Sequence, residues 1–155
     1  MIRWIIWLIC ALIVLAGAGY FWVNLSTTDT ARWNVDPSQV TRTGKPNDFL
    51  LAPPGTTRAL PDESSPVFAE TPEELLDRVK KIALGQPRVR EIGTGPLQAT
   101  FEQRSALIGF PDFITVKAVD TGDGAALIVY SRSQYGYSDM GVNKARVLDW
   151  LSKVK

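Results

Sequence analysis

With 17 basic and 16 acidic side chains, one cysteine and no histidine in 155 residues, this chain lacks the groups that several chemistries require. No imidazole exists to serve as the base of a Ser-His-Asp or Cys-His pair, and zinc sites built on histidine and cysteine are excluded. Beyond Val23 the basic and acidic residues balance, so no long-range field attracts a phosphate backbone and nucleic acid is not an expected partner.

The chain opens on an apolar run. No charge occurs from Trp4 to Val23, and at about 1.5 Å per residue such a helix covers the roughly 30 Å of a bilayer's hydrocarbon core. Trp4, Trp7, Tyr20 and Trp22 stand toward its ends, where amphipathic rings favour the headgroup layer. Arg3 and the amino terminus supply the positive charge on the N-terminal side, which favours a cytoplasmic N-terminus with the rest of the chain outside. Two rivals use the same residues. Ala16-Gly17-Ala18 offers a small-residue cleavage site, but the apolar run continues through Tyr20, Phe21, Trp22 and Val23. Cys10 follows Ile9 in mid-run, which suits an apolar filler better than a lipid attachment point. Residues 1–23 are therefore read as an uncleaved transmembrane anchor.

Residues 24–64 are read as a linker and coat. Pro37, Pro46, Pro53, Pro54 and Pro61 punctuate a stretch rich in Thr, Ser and Asn, and the Pro53-Pro54-Gly55 step cannot sit in a regular helix. Trp33, Val35, Phe49, Leu50 and Leu51 give it apolar grips, so it is expected to lie against the domain. That domain is placed at 65–155. Val67-Phe68-Ala69 reads as a short edge strand. A helix start follows: Thr71 suits the N-cap, Pro72 the first helical position, and Glu74 completes a Thr-x-x-Glu capping box. Leu75, Leu76, Val79, Ile82 and Ala83 recur at helical spacing. Lys80 and Lys81 suit the negative end of the dipole, and Gly85 with Pro87 stops the helix.

Four strands are predicted next. The first spans 88–92 and is closed by Gly93-Thr94-Gly95-Pro96; the second spans 97–107 and is ended by Gly109 and Pro111. In the third, 113–119, Ile114, Val116 and Ala118 alternate with Thr115 and Lys117. Thr121-Gly122-Asp123-Gly124 reads as a hairpin turn into the fourth, 125–133. Short connections between successive strands favour an antiparallel meander. A last helix is predicted over 138–154, its apolar stripe formed by Met140, Val147, Trp150, Leu151 and Val154, with Asn143 inside the stripe and Asp139 and Arg146 along its edge. The fold class is α+β: one N-terminal transmembrane helix, then a small antiparallel sheet of four to five strands with two helices packed on one face.

The polar joint between last strand and last helix, residues 131–146, supports two readings. In the structural one, Ser138 or Asp139 caps the helix, Gly136 supplies a turn conformation, Asn143 faces inward to satisfy backbone groups, and Arg132 and Arg146 pair with acids such as Asp112 or Asp139. In the functional one, Arg104, Arg132 and Arg146 offer planar donor forks to a carboxylate or phosphate, walled by Tyr135 and Tyr137. The candidate ligand-binding residues are thus Arg104, Asp112, Arg132, Tyr137, Asp139, Asn143 and Arg146. No catalytic residue, metal ligand or cofactor is assigned.

Ser131-Arg132-Ser133, Gly136, Asp139-Met140-Gly141-Val142-Asn143-Lys144 and Arg146 resemble the closing signature of DUF1499, a bacterial family without an assigned role. Gln103-Arg104-Ser105-Ala106-Leu107-Ile108-Gly109-Phe110-Pro111-Asp112 is similar to that family's central strand and turn. Trp33-Asn34-Val35-Asp36-Pro37, Pro46-Asn47-Asp48 and Ser65-Pro66-Val67-Phe68-Ala69 resemble the segments that precede the domain in a membrane-anchored subgroup. Many members carry a cysteine near the Pro-Asn segment; this chain has Asp48-Phe49 there, so no role resting on that cysteine transfers. Lys144 stands where an arginine is usual. The resemblance implies a fold and a candidate surface, and no activity.

The function expected from these readings is a non-enzymatic, membrane-anchored binding or interaction domain on the periplasmic side of a bacterial inner membrane. Its expected partners are the membrane itself, a lipid or anionic small ligand, and a membrane protein. The alternative is a hydrolase or transferase working through Asp112, Asp139 or Tyr137.

Overall fold

A helix needs no partner for its backbone bonds, and over the apolar N-terminal run nothing in the sequence interrupts them. In the computed structural model, which describes residues 2–25 and 28–154, helix α1 covers Ile2–Leu25. Its segment Arg3–Val23 is long and apolar enough to cross a membrane. Asp29 then caps a single helical turn, α2 (Thr30–Trp33), by accepting from the backbone N–H of Arg32.

Six strands follow: β1 (Asp48–Leu51), β2 (Val67–Phe68), β3 (Val89–Gly95), β4 (Gln98–Arg104), β5 (Pro111–Asp120) and β6 (Ala125–Ser133). They form one antiparallel sheet in the order β1-β6-β5-β4-β3, with β2 also pairing β6. Two helices, α3 (Pro72–Leu84) and α4 (Val142–Val154), complete the α+β fold. The capping box at Thr71 and Glu74 forms as the sequence implies.

Strand alternation divides the side chains into two layers. Ala99 and Phe101 of β4, Ile114, Val116 and Ala118 of β5, Leu127 and Val129 of β6, and Phe49 and Leu51 of β1 face both helices. There they meet Leu75, Val79 and Ala83 of α3 and Val147, Trp150, Leu151 and Val154 of α4. Phe101 and Trp150 touch edge to face, with ring centres 5.8 Å apart. Each large side chain removed from water here contributes about 1.5–3 kcal/mol.

The opposite face is covered by the proline-rich coat. Val40, Leu50, Ala52, Ile128 and Tyr130 form a second cluster, with Val35, Ala59 and Val119 against it. Trp33 stacks on Phe113 with ring centres 4.0 Å apart. Asn34 sutures coat to sheet: its Nδ2 donates to the Thr94 carbonyl, and its Oδ1 accepts from Gln98 and Thr100. Gly93 makes room for it, since a Cβ there would lie 2.7 Å from the Asn34 Cγ.

Several boundaries depart from the sequence expectation. The strand expected over 97–107 stops at Arg104, because Ser105 and Phe110 close residues 105–110 into a turn through two hydrogen bonds. β3 runs on to Gly95 through a bulge between Glu91 and Gly93. The strand at Asp48–Leu51 lies inside the coat and was not foreseen; three of its four residues are buried. The last helix starts at Val142 rather than 138. Met140, expected in its apolar stripe, precedes the helix with φ 54° and is 95% exposed. A residue in the left-handed region does not share the 100° periodicity of the helix that follows, so it points elsewhere.

Candidate functional site

β6 and α4 meet at the polar joint, and the joint is filled by its own bonds. Asn143, in the first turn of α4, is 0% exposed. Its Nδ2 lies within hydrogen-bond range of the Asn47 carbonyl, Ser133 Oγ and Asp139 Oδ2, at 3.2, 3.0 and 2.7 Å. Its Oδ1 accepts from Ser131 Oγ and Arg146 Nη1 at 2.6 and 2.7 Å. Asp139 accepts from the backbone N–H of Gly141 and of Asn143, capping the helix with both oxygens. Arg146 donates also to Gln103 and pairs with Asp112 at 2.6 Å. Gly136, at φ 93°, lets the chain turn so that its carbonyl accepts from Asn47.

The seven candidate residues do not converge. Asp112, Asp139, Asn143 and Arg146 share the network just described, on the helix side of the sheet. Arg132 points to the other side. It is 7% exposed and lies between the rings of Trp33 and Tyr130, its Cζ 5.3 and 4.8 Å from their centres. Its donors go to the Trp33 and Tyr130 carbonyls and to Thr115 Oγ1. Among the described residues no carboxylate hydrogen-bonds to it, contrary to the expected acid pairing. Burial lowers its pKa to about 10, with Asp48 and Tyr130 working the other way. The nearby Asp48 carboxylate is taken by Arg42 and the Tyr130 hydroxyl. Tyr137 is exposed.

Arg104 belongs to a different place, the end of the sheet where β3 begins and β4 finishes. Register sets Arg90 opposite Glu102, and Arg104 is on the same face as Glu102 two residues along the strand. Glu102 is 0% exposed. Its Oε2 receives Arg90 Nη2 at 2.5 Å and Thr28 Oγ1 at 2.6 Å, and its Oε1 receives Arg104 Nε at 2.5 Å. Burial pushes this carboxyl up, yet Thr28, Arg90 and Arg104 outweigh burial and hold its pKa below the ordinary value. Arg104 Nη1 spans to the carbonyls of Val23 in α1 and Gly109 in the turn, at 3.0 and 3.2 Å.

Around this cluster opens a cleft of about 460 Å³. Its walls include Arg88, Arg90 and Arg104, the turn residues Ser105 to Leu107, and Tyr20 from α1. Three guanidinium groups against one carboxylate leave it net positive, and their planar donors match carboxylate or phosphate oxygens. A second cleft of about 310 Å³ continues past Arg88 and Arg104 toward Asp112 and Arg146. Among the described residues no group of three His, Cys, Asp or Glu side chains is placed to hold a metal. Sequence reasoning named Arg104 but missed Arg88, Arg90, Glu102 and Thr28. Their grouping depends on strand register and on the fold returning Thr28 to β4, neither of which has a local signal.

Residues 34–154 match the family model described as "Protein of unknown function (DUF1499)". No curated protein matches the chain, and no solved structure does. The match spans well over half of the chain, and the protein belongs to the DUF1499 family.

Proposed function

For this DUF1499 protein we propose a non-enzymatic binding domain, held at a membrane by α1 and facing the side opposite the cytoplasm, with the Arg88–Arg90–Arg104 cleft as its ligand site. The anchor rests on the apolar Arg3–Val23 segment, and the orientation on Arg3 at its N-terminal side. One observation carries the choice of site: the cleft is open and positively lined, whereas the polar groups of the 131–146 joint are already used by one another. An anion entering the joint would have to displace Asp112 from Arg146 and Asp139 from a helix start. An anion entering the cleft meets exposed donors of Arg88 and Arg90.

Native mass spectrometry of the full-length protein, released from washed membranes in mild detergent, tests this reading. The expected result is a reproducible bound mass that Arg88→Gln removes and Arg58→Gln, outside the cleft, leaves in place. Recovery of the full-length protein in the soluble fraction would refute the anchor. A bound mass indifferent to Arg88 would refute the site.

A further inference from the structure

We propose that the ligand of this cleft is the phosphate headgroup of an anionic lipid in the membrane that α1 spans, and that the turn 105–110 dips its apolar tip into the same interface. The proposal deepens the reading of the cleft as the ligand site of a membrane-held domain and depends on it.

Chain geometry supplies the first argument. α1 ends at Leu25, and Thr28 is already hydrogen-bonded to Glu102. Three peptide steps reach at most about 11 Å, so the Arg90–Glu102–Arg104 cluster cannot stand far from the end of the span. Arg104 is closer still, donating to the Val23 carbonyl of the span's last turns at 3.0 Å. A segment of the length of Arg3–Val23 fills a hydrocarbon core of roughly 30 Å, which leaves its final turn at the headgroup layer. The cleft, with Tyr20 in its wall, therefore lies at the depth of the phosphates.

The second argument is the composition of the membrane-proximal end. Leu107 is 89% exposed, and Ile108 and Phe110 on the same turn are exposed as well. Phe110 packs against Tyr135 with ring centres 5.4 Å apart, setting two amphipathic or aromatic rings beside the tip. Exposed apolar groups rimmed by arginines are the composition of an interfacial contact: the apolar tip leaves water, and the guanidinium groups meet phosphate. A soluble anion would explain the arginines and leave the apolar tip without a role.

The test uses the full chain with Cys10→Ala and Leu107→Cys, carrying an environment-sensitive fluorophore at residue 107, in lipid nanodiscs. One set of discs is phosphatidylcholine alone and the other an equal mixture with phosphatidylglycerol. The expected result is blue-shifted emission, quenched by nitroxide-labelled lipid, and stronger in the mixed discs. Arg88→Gln should lower the preference for phosphatidylglycerol about fivefold, the weight of one basic residue near an anionic surface, and high salt should weaken it further. Leu107→Asp, in place of the labelled cysteine, should abolish the insertion and raise the protease sensitivity of the turn. A label that stays in water in both sets overturns the insertion. Equal emission in both sets with no response to Arg88→Gln overturns headgroup recognition. Glycerol 3-phosphate in solution protecting the cleft as well as the lipid does would assign a free anion instead, and would leave the binding-domain reading standing. Protein that never enters the discs would refute that underlying reading as well.

Discussion

Asn143 carries more of the joint than any other side chain. It lies in the apolar stripe of α4, fully buried, and its amide links β6, the coat at Asn47 and the cap at Asp139. Replacing it with leucine keeps the branched shape but takes away the acceptor of the buried Ser131 hydroxyl and the donor that reaches the Asn47 carbonyl. Asn143→Leu is expected to lower stability by about 1–3 kcal/mol, the usual cost of buried groups left unsatisfied. Chemical denaturation of the variant measures it, and an unchanged midpoint would mean the amide is not inward-facing in solution. The inward orientation of Asn143 was legible from its place in the stripe. Arg132 was not: its neighbour Ser131 faces α4 while it faces the coat, and only the pleat of β6 separates them.

At the scale of elements, helix ends and turns were read less well than helix and strand centres. α3 announced itself because its signals are local: a cap, a proline at the first position, and an apolar face. The sequence places the start of α4 four residues early because Ser138 and Asp139 both suit a cap directly before a helix. Here Asp139 reaches forward over the left-handed pair Met140 and Gly141. This separates two outcomes for Met140→Ala. A buried stripe residue would cost about 2–5 kcal/mol on truncation, whereas an exposed residue ahead of the helix should change stability by less than about 0.5 kcal/mol. A thermal melt of this variant decides between them, and a large loss would restore Met140 to the core.

At the scale of the whole molecule, the coat behaves as one of the fold's layers. β1 pairs with β6 over four residues, and the Leu50, Ala52, Ile128 and Tyr130 cluster exists only with the coat in place. Arg42 bridges Asp48 and Asp62, tying two coat segments together. Trp33 covers both Phe113 and the Arg132 guanidinium. A chain beginning at residue 66 is therefore expected not to fold, while one beginning at residue 28 folds cooperatively. Circular dichroism and proton NMR dispersion of the two fragments check this. A folded 66–155 fragment would support a domain boundary near residue 65.

The sequence by itself determined the features whose cause is local. The apolar helix over Trp4 to Val23 needs only an uncharged run, the hairpin at Thr121-Gly122-Asp123-Gly124 only its turn residues, and the two faces of β5 only their alternation. The family signature likewise rests on consecutive residues. Tertiary structure decided what depends on register and on distant segments meeting. Glu102 became a buried hub because Arg90 stands opposite it and Thr28 returns to it from 74 positions away in the chain. Arg104 and Arg132, written alike in the sequence, were sent to an open cleft and to a closed coat. Cross-strand partners and the path of a proline-rich segment are fixed by packing of the whole chain, so no short window of sequence could have told those two arginines apart.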